Sequence, residues 1–222
     1  MIQYINSGLR LLLSVSKPKS SRAVIFSHGF LSNKNKYYIK STARALARAG
    51  FKTVRFNYPT EEIKHRVSVL NKVIDEVKAE VIGLVGCSLG GMTSIITASH
   101  PKVKSLVLVN SVYDQRKAYE NYVKEHSILS KIAEKLLLKD FFSYNLKKLI
   151  QNLRKPVLVV SGEHDRITPQ DLMKELYNDV QAQKEFLSLD CGHSIWRPLH
   201  VSQVRESIRD WFLKTLNPST HV

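Results

Sequence analysis

Four short stretches of this chain carry residue types suited to nucleophilic acyl chemistry. They are Gly86-Cys87-Ser88-Leu89-Gly90, the carboxylates Glu163 and Asp165 within residues 162–169, Gly192-His193, and His28-Gly29-Phe30. A serine hydroxyl is a weak nucleophile at neutral pH and needs a neighbouring base to take its proton. Histidine is the usual base, a carboxylate behind it holds the imidazole in the right tautomer, and backbone N–H groups must meet the charge that develops on the attacked oxygen. A serine, an acid and a histidine occur here in that chain order.

The elements needed to bring them together are readable around Ser88. Residues 81–87 are mostly apolar and run straight into the Gly-x-Ser-x-Gly turn, after which a weakly polar helix begins. That is the pattern of a nucleophile elbow, in which the serine takes a strained backbone angle and the flanking glycines avoid collisions with strand and helix. The backbone N–H of Leu89, at the start of that helix, is then an oxyanion donor. The five-residue pattern alone occurs by chance in about one chain in fifteen of this length. Two other readings stand beside it: a glycine-rich turn that only packs closely, and a dinucleotide-binding turn. The second is disfavoured because Gly-x-Gly-x-x-Gly is absent and the next apolar strand ends in Asn110-Ser111, not in an acidic residue.

The rest of the chain alternates. Strands are expected at residues 22–27, 51–58, 81–87, 104–110, 156–161 and 184–189. Helices are expected at 36–49, from Thr60 as N-cap to about 77, and at 89–99, 168–180 and 199–216. An N-terminal hairpin over residues 1–6 and 9–15 precedes them. Between residues 112 and 155 the alternation lapses into helical, basic and aromatic sequence. Alternating strands and helices predict a mostly parallel sheet covered on both faces, with the ligand site at the carboxyl ends of the strands. All four chemistry-bearing stretches lie just past a predicted strand.

Composition bounds the function. At 222 residues and 43% hydrophobic content the chain builds one domain, residues 1–222. No apolar run approaches membrane-spanning length and no secretory leader is present, so a cytoplasmic protein is expected. The two cysteines, Cys87 and Cys191, form neither a disulfide framework nor metal-ligand spacing with histidine. Thirty-four Lys and Arg against 19 Asp and Glu leave a net charge of +15, which admits an anionic partner. Lys36, Lys40, Arg44 and Arg48 fall at i, i+4 spacing on one predicted helix. The other basic residues are scattered without interleaved aromatics or a recognition motif, which reads as a solvated basic surface and not as a nucleic-acid module.

At these residues the chain resembles the α/β-hydrolase superfamily along nearly its whole length, and in particular small cinnamoyl/feruloyl-esterase-like and dienelactone-hydrolase-like serine esterases. The family's His-Gly loop matches His28-Gly29-Phe30, its elbow Gly86 to Gly91, its acid motif Gly-x-x-Asp-x-x-x-Pro residues 162–169, and its Gly-His pair Gly192-His193. The resemblance implies an α/β-hydrolase fold with a mostly parallel eight-stranded sheet, helices on both faces, and a small helical cap over residues 112–155. It singles out Asp165 over Glu163, making Ser88, Asp165 and His193 the catalytic residues and the N–H groups of Phe30 and Leu89 the oxyanion hole. His164 is a weaker base, and His28 shapes its loop. Cys87 stands one residue too early to be the nucleophile. Many such esterases carry an Arg-Gly-His-Gly-type loop where this chain has Asn57-Tyr58-Pro59-Thr60 running into a helix, so a substrate contact from that loop is not implied.

The expected function is a serine esterase for small to medium acyl or aryl esters, working through an acyl-enzyme. Neither a cofactor nor a metal is needed. An acyl-CoA-type thioesterase is the alternative, motivated by the charge, and a non-catalytic binding protein on the same fold is a third. The partner is a small ester or thioester, with no nucleic acid and no membrane span. The sequence leaves the oligomeric state open.

Overall fold

A computed structural model describes residues 2–3, 13–16, 19–126 and 139–216. Its strands are β1 (Ile2–Gln3), β2 (Leu13–Ser16), β3 (Arg22–Ser27), β4 (Lys52–Arg55), β5 (Val81–Cys87), β6 (Val103–Val109), β7 (Val157–Gly162) and β8 (Lys184–Leu189). They form one sheet in the order β1-β2-β4-β3-β5-β6-β7-β8. From β4 through β8 every pairing is parallel, while β1 with β2 and β2 with β4 are antiparallel. The expected eight strands are thus seven of four residues or more and a two-residue edge pair. Most of the predicted N-terminal hairpin, residues 4–12, lies outside the described residues.

Seven helices are described: α1 (Tyr37–Arg48), α2 (Ile63–Glu76), α3 (Leu89–Thr97), α4 (Gln115–Glu125), α5 (Leu146–Asn152), α6 (Gln170–Asp179) and α7 (Pro198–Thr215). Side chains alternate along each strand, so the sheet has two apolar faces. On one, Val24, Phe26, Val85 and Val107 meet Leu46 of α1 and Trp211 and Phe212 of α7. On the other, Ile25, Val54, Leu84 and Leu106 meet α2, α3, α5 and α6. Eight of the nine residues of α3 are buried, as its lack of charge predicts. The chain passes from β3 outward to β4 and then back across to β5, so β3 and β5 lie side by side with the chain leaving in opposite directions. Their carboxyl ends, paired at Ser27 and Gly86, open a crevice at that switch point.

The expected second strand and helix are both longer than the real ones. β4 stops at Arg55, and α2 begins at Ile63 and not after Thr60. Thr60 Oγ1 accepts only from the Glu62 N–H, at 3.2 Å. The first turn of α2 is capped from far along the chain: Asp140 Oδ1 accepts from Ile63 N at 3.0 Å and Oδ2 from Lys64 N at 2.5 Å. A cap 76 residues away has no local signature.

Of residues 112–155, α5 buries Leu146 and Ile150 in the layer with α3 and α6, while α4 runs toward the strand ends. Residues 127–138 lie outside the described residues. Among the described residues no helix is long and apolar enough to cross a membrane.

Asp140→Ala leaves two helix N-terminal N–H groups without an acceptor and should lower stability by about 1–2 kcal/mol in urea unfolding, with Asp140→Asn, which keeps one acceptor oxygen, intermediate. An unchanged midpoint in Asp140→Ala counts against this long-range cap.

Candidate active site

The β5–α3 turn holds Ser88 at φ 53° and ψ −120°. A non-glycine residue pays for such a conformation, and the surrounding hydrogen bonds hold it there. Ser88 N–H donates to Val109 O at 3.0 Å, and Ser88 O accepts from the N–H groups of Gly91, Met92 and Val112. A Cβ on Gly86 would lie 2.6 Å from Gly90 O and from Gly91 Cα, and one on Gly90 would run into the backbone of Ser27 and His28. The glycine spacing therefore lets β3, β5 and α3 close around the turn, leaving the serine side chain facing outward.

Three strand ends meet there. Ser88 Oγ is 3.0 Å from His193 Nε2, and His193 Nδ1 is 2.7 Å from Asp165 Oδ2. Asp165 Oδ1 accepts from the N–H groups of Ile167 and Thr168 at 2.8 and 2.9 Å, and Thr168 Oγ1 lies 2.8 Å from Oδ2. A carboxylate can only accept, so the proton between Asp165 and His193 sits on Nδ1, and the lone pair of Nε2 faces Ser88. The Asp165 side chain is sealed from solvent while that of His193 is 23% exposed.

The structure separates the rivals. Glu163 is exposed and accepts from Ser188 Oγ at 2.7 Å. His164, also exposed, pairs with Asp190 at 2.7 Å. Glu163, His164 and Asp190 place one ligand atom each within 4.8 Å of one another, so they are the group among the described residues that could hold a metal ion; all three are exposed, and His164 also lines the wider cavity that reaches Ser88. Cys87 borders the same cavity as Ser88 and is half-buried. Burial pushes its thiol up to about 11, and Tyr38 hydrogen-bonds it, so at neutral pH it is a thiol and a poor nucleophile.

Sequence reasoning missed two polar frameworks. Asn110, at φ 43° after β6, accepts from Gly162 N at 2.8 Å through Oδ1 and donates through Nδ2 to His193 O at 2.9 Å. It ties the loop bearing the acid to the loop bearing the histidine. Asparagine tolerates left-handed backbone, so its place at a strand end was a signal that could have been used.

The second framework supports the His28–Leu31 loop. Fully buried Arg66 of α2 donates from Nη1 to Glu61 Oε2 at 2.6 Å and from Nη2 to His28 O, and its guanidinium stacks 3.8 Å from the Tyr58 ring centre. Glu61 Oε1 accepts from Leu31 N at 3.2 Å, so the ion pair grips the loop on both sides of Phe30. His28 Nε2 accepts from Tyr58 N at 3.1 Å and Nδ1 lies 2.9 Å from Gly29 O, which makes His28 the neutral Nδ1–H tautomer and a loop-shaping residue. Asn57 to Thr60, from which no substrate contact is implied, supplies Tyr58 to this network. Among the described residues no hydrogen bond occupies the N–H of Phe30 or of Leu89.

Two adjoining cavities open onto Ser88 and His193. One, of about 280 Å³, is lined by Phe30, Tyr37, Tyr38, Ile195 and Trp196 and bordered by Lys36. The other, of about 550 Å³, adds Tyr122 and His126 of the α4 end and Arg166. Tyr122 meets Phe30 edge to face at 5.6 Å and stacks on His126.

A family model described as alpha/beta hydrolase fold matches residues 22–127. Among solved structures, Est1E from Butyrivibrio proteoclasticus is 16% identical with a TM-score of 0.78, over 96% of this chain and 98% of that one. An esterase from Pyrococcus furiosus is 15% identical with a TM-score of 0.78, over 98% and 90% of the two chains. A dienelactone hydrolase from Anabaena variabilis is 15% identical with a TM-score of 0.74, over 97% of each.

Burial, followed by the Arg66 charge, lowers His28 from 6.5 to about 4. Between those values the unfolded chain binds a proton that the folded chain does not. The contribution of His28 is therefore fully present above about pH 6.5 and is lost as pH falls toward 4, up to about 3 kcal/mol. Urea unfolding across this range should show a flatter pH slope in His28→Gln than in the wild type; equal slopes refute it.

Proposed function

We propose that this protein, which has the α/β-hydrolase fold, is a serine hydrolase cleaving carboxylic esters of small to medium acyl or aryl groups. The observation that carries this is the line Ser88 Oγ, His193, Asp165, with contacts of 3.0 and 2.7 Å at the mouth of an apolar cavity. His193 Nε2 takes the Ser88 proton as Oγ bonds to the acyl carbon. The N–H groups of Phe30 and Leu89 receive the oxyanion, each worth about 3 kcal/mol at the transition state. The imidazolium, held by Asp165, returns its proton to the departing alkoxide and leaves an acyl group on Ser88. A water then gives a proton to Nε2 and attacks the acyl carbon, and collapse releases the acid and restores Ser88.

The aromatic lining suits a compact acyl or aryl group, and 280 Å³ is close to the lower end of ligand cavities, about 300 Å³. Est1E, with which the chain shares its fold at 15% identity and a TM-score of 0.76, has a structure with ferulic acid bound, an aryl acid of that size class. On this reading the cap expected over residues 112–155 is carried, among the described residues, by α4, where Tyr122 and the C-cap residue His126 line the cavity, while α5 belongs to the core layer of the same domain. The two free cysteines suit a reducing compartment such as the cytoplasm.

A second reading, hydrolysis of thioesters of anionic carriers, is favoured by Lys36 and Arg166 beside the cavities. Rates for p-nitrophenyl esters and acyl-CoA thioesters of matched chain length separate the two. The ester reading predicts higher kcat/KM for the neutral esters and little effect of salt. A thioester preference that fades at high salt reverses the ranking.

Fluorophosphonate should label Ser88, and Ser88→Ala should lose on the order of 10⁴-fold in kcat. Cys87→Ser should keep activity within about tenfold and mainly cost stability, roughly 1–3 kcal/mol. Loss of activity on thiol alkylation, with Ser88→Ala still active, overturns the assignment.

A further inference from the structure

The basic helix stripe has a role that the Ser88 site does not use. The face of a sheet beneath a covering helix is ordinarily apolar, and beneath α1 and α7 it is, at Val24, Phe26, Val85 and Val107. At the β2–β4 corner that rule breaks. Val54 and Phe56 point into the opposite core, so Thr53 and Arg55 face the α1 side, and they pair with Ser16 and Ser14. Between this polar corner and α1 lies a groove of about 530 Å³, walled by Lys40, Arg44 and Arg48 on the helix and by Arg55 and the hydroxyl residues on the strands. Ala43 and Ala47 leave the space between them.

None of its ten lining residues is acidic, and among the described residues none of the four cations has an ion-pair partner. Some cations elsewhere are paired, Arg66 with Glu61, Lys214 with Glu185 and Arg209 with Asp210; the groove is set apart by four cations gathered on one concavity with no carboxylate in its lining. Arg55 is held in place through one terminal nitrogen, which donates to Lys34 O at 2.7 Å and to Asn35 Oδ1 at 3.5 Å. Its other terminal nitrogen has no acceptor among the described residues. Burial and the nearby Arg44 charge both disfavour its protonated form, the signature of like charges gathered without a counter-charge.

We propose that this groove binds the phosphate group of a small soluble phosphate ester, at a site separate from Ser88, gripped by Arg44, Arg48, Arg55 and Lys40. Guanidinium forks match phosphate oxygens in pairs, and hydroxyls beside them complete the donor set. The groove is open to solvent, and its four cations converge on one concavity of about 530 Å³, which suits a small molecule, where a nucleic-acid backbone would need cations spread along a longer track. The site does not depend on the hydrolase reading, because binding is measured without turnover.

Titration calorimetry with inorganic pyrophosphate on the full chain, at constant ionic strength near 0.1 M, tests it. The wild type should bind one equivalent with a Kd below about 1 mM. Arg44→Ala and Arg48→Ala, both exposed on a helix and expected to fold, should each weaken binding about tenfold, and the pair about a hundredfold. Lys214→Ala, which removes a cation far from the groove, should change it less than twofold. A nucleoside monophosphate should compete. The proposal fails if no saturable binding appears at 10-fold that limit, if several equivalents bind, or if Lys214→Ala is as damaging as Arg44→Ala. It also fails if duplex DNA or anionic phospholipid vesicles bind through Arg44 while pyrophosphate does not.

Discussion

Everything at the candidate site hangs on one backbone constraint: a serine held at φ 53° between a parallel strand and a buried helix. Residues in such regions cost of order 1–3 kcal/mol and persist only when their neighbours over-determine them. Here the neighbours do so from three sides, with Val109 accepting the Ser88 N–H, three amides converging on its carbonyl, and α3 packed against β3 too closely for a side chain at position 90. The same closeness places the free amide of Leu89 and the loop after β3 around one point. On the proposed reading, strain, oxyanion geometry and nucleophile exposure are thus one feature of the turn.

Around that point the chain builds rigidity from buried polar groups. Asn110 links the acid and histidine loops, and the Arg66–Glu61 pair clamps His28 and Leu31. A buried ion pair is a weak source of net stability, since desolvation offsets its attraction. Its better-supported value is geometric: Arg66 is satisfied only when Glu61, His28 O and the Tyr58 ring are all in place. Loop position thereby becomes close to all-or-none, which is what an amide aimed at a developing charge requires.

Charge follows a related logic on the outer surface. A few of the exposed cations sit beside single carboxylates in pairs of the kind that contribute little. Lys40, Arg44, Arg48 and Arg55 differ because they line one groove over a polar corner of the sheet, with no carboxylate among them. Concentrated charge without a partner raises the energy of the empty groove, and an anion relieves it.

What the sequence determined alone is local chemistry and its order. The strand-turn-helix at Ser88 is legible because apolar runs, glycine spacing and helix starts are set by neighbouring residues, and so are β3, β5 and β8 nearly to the residue. Asp165 could be picked from Glu163 only through the resemblance; in the structure the reason is that Ile167 and Thr168 amides turn Asp165 inward and leave Glu163 in solvent. Tertiary structure alone decided where α2 begins, because its cap comes from Asp140, and which residues brace the loops, because Asn110, Arg66 and Glu61 find partners 27 to 83 positions away or across a turn that no periodicity marks. It also decided that Lys40, Arg44 and Arg48 border a groove shared with Arg55. Helical spacing predicts that they share a face, but only the packing of α1 over the β2–β4 corner says what that face looks upon.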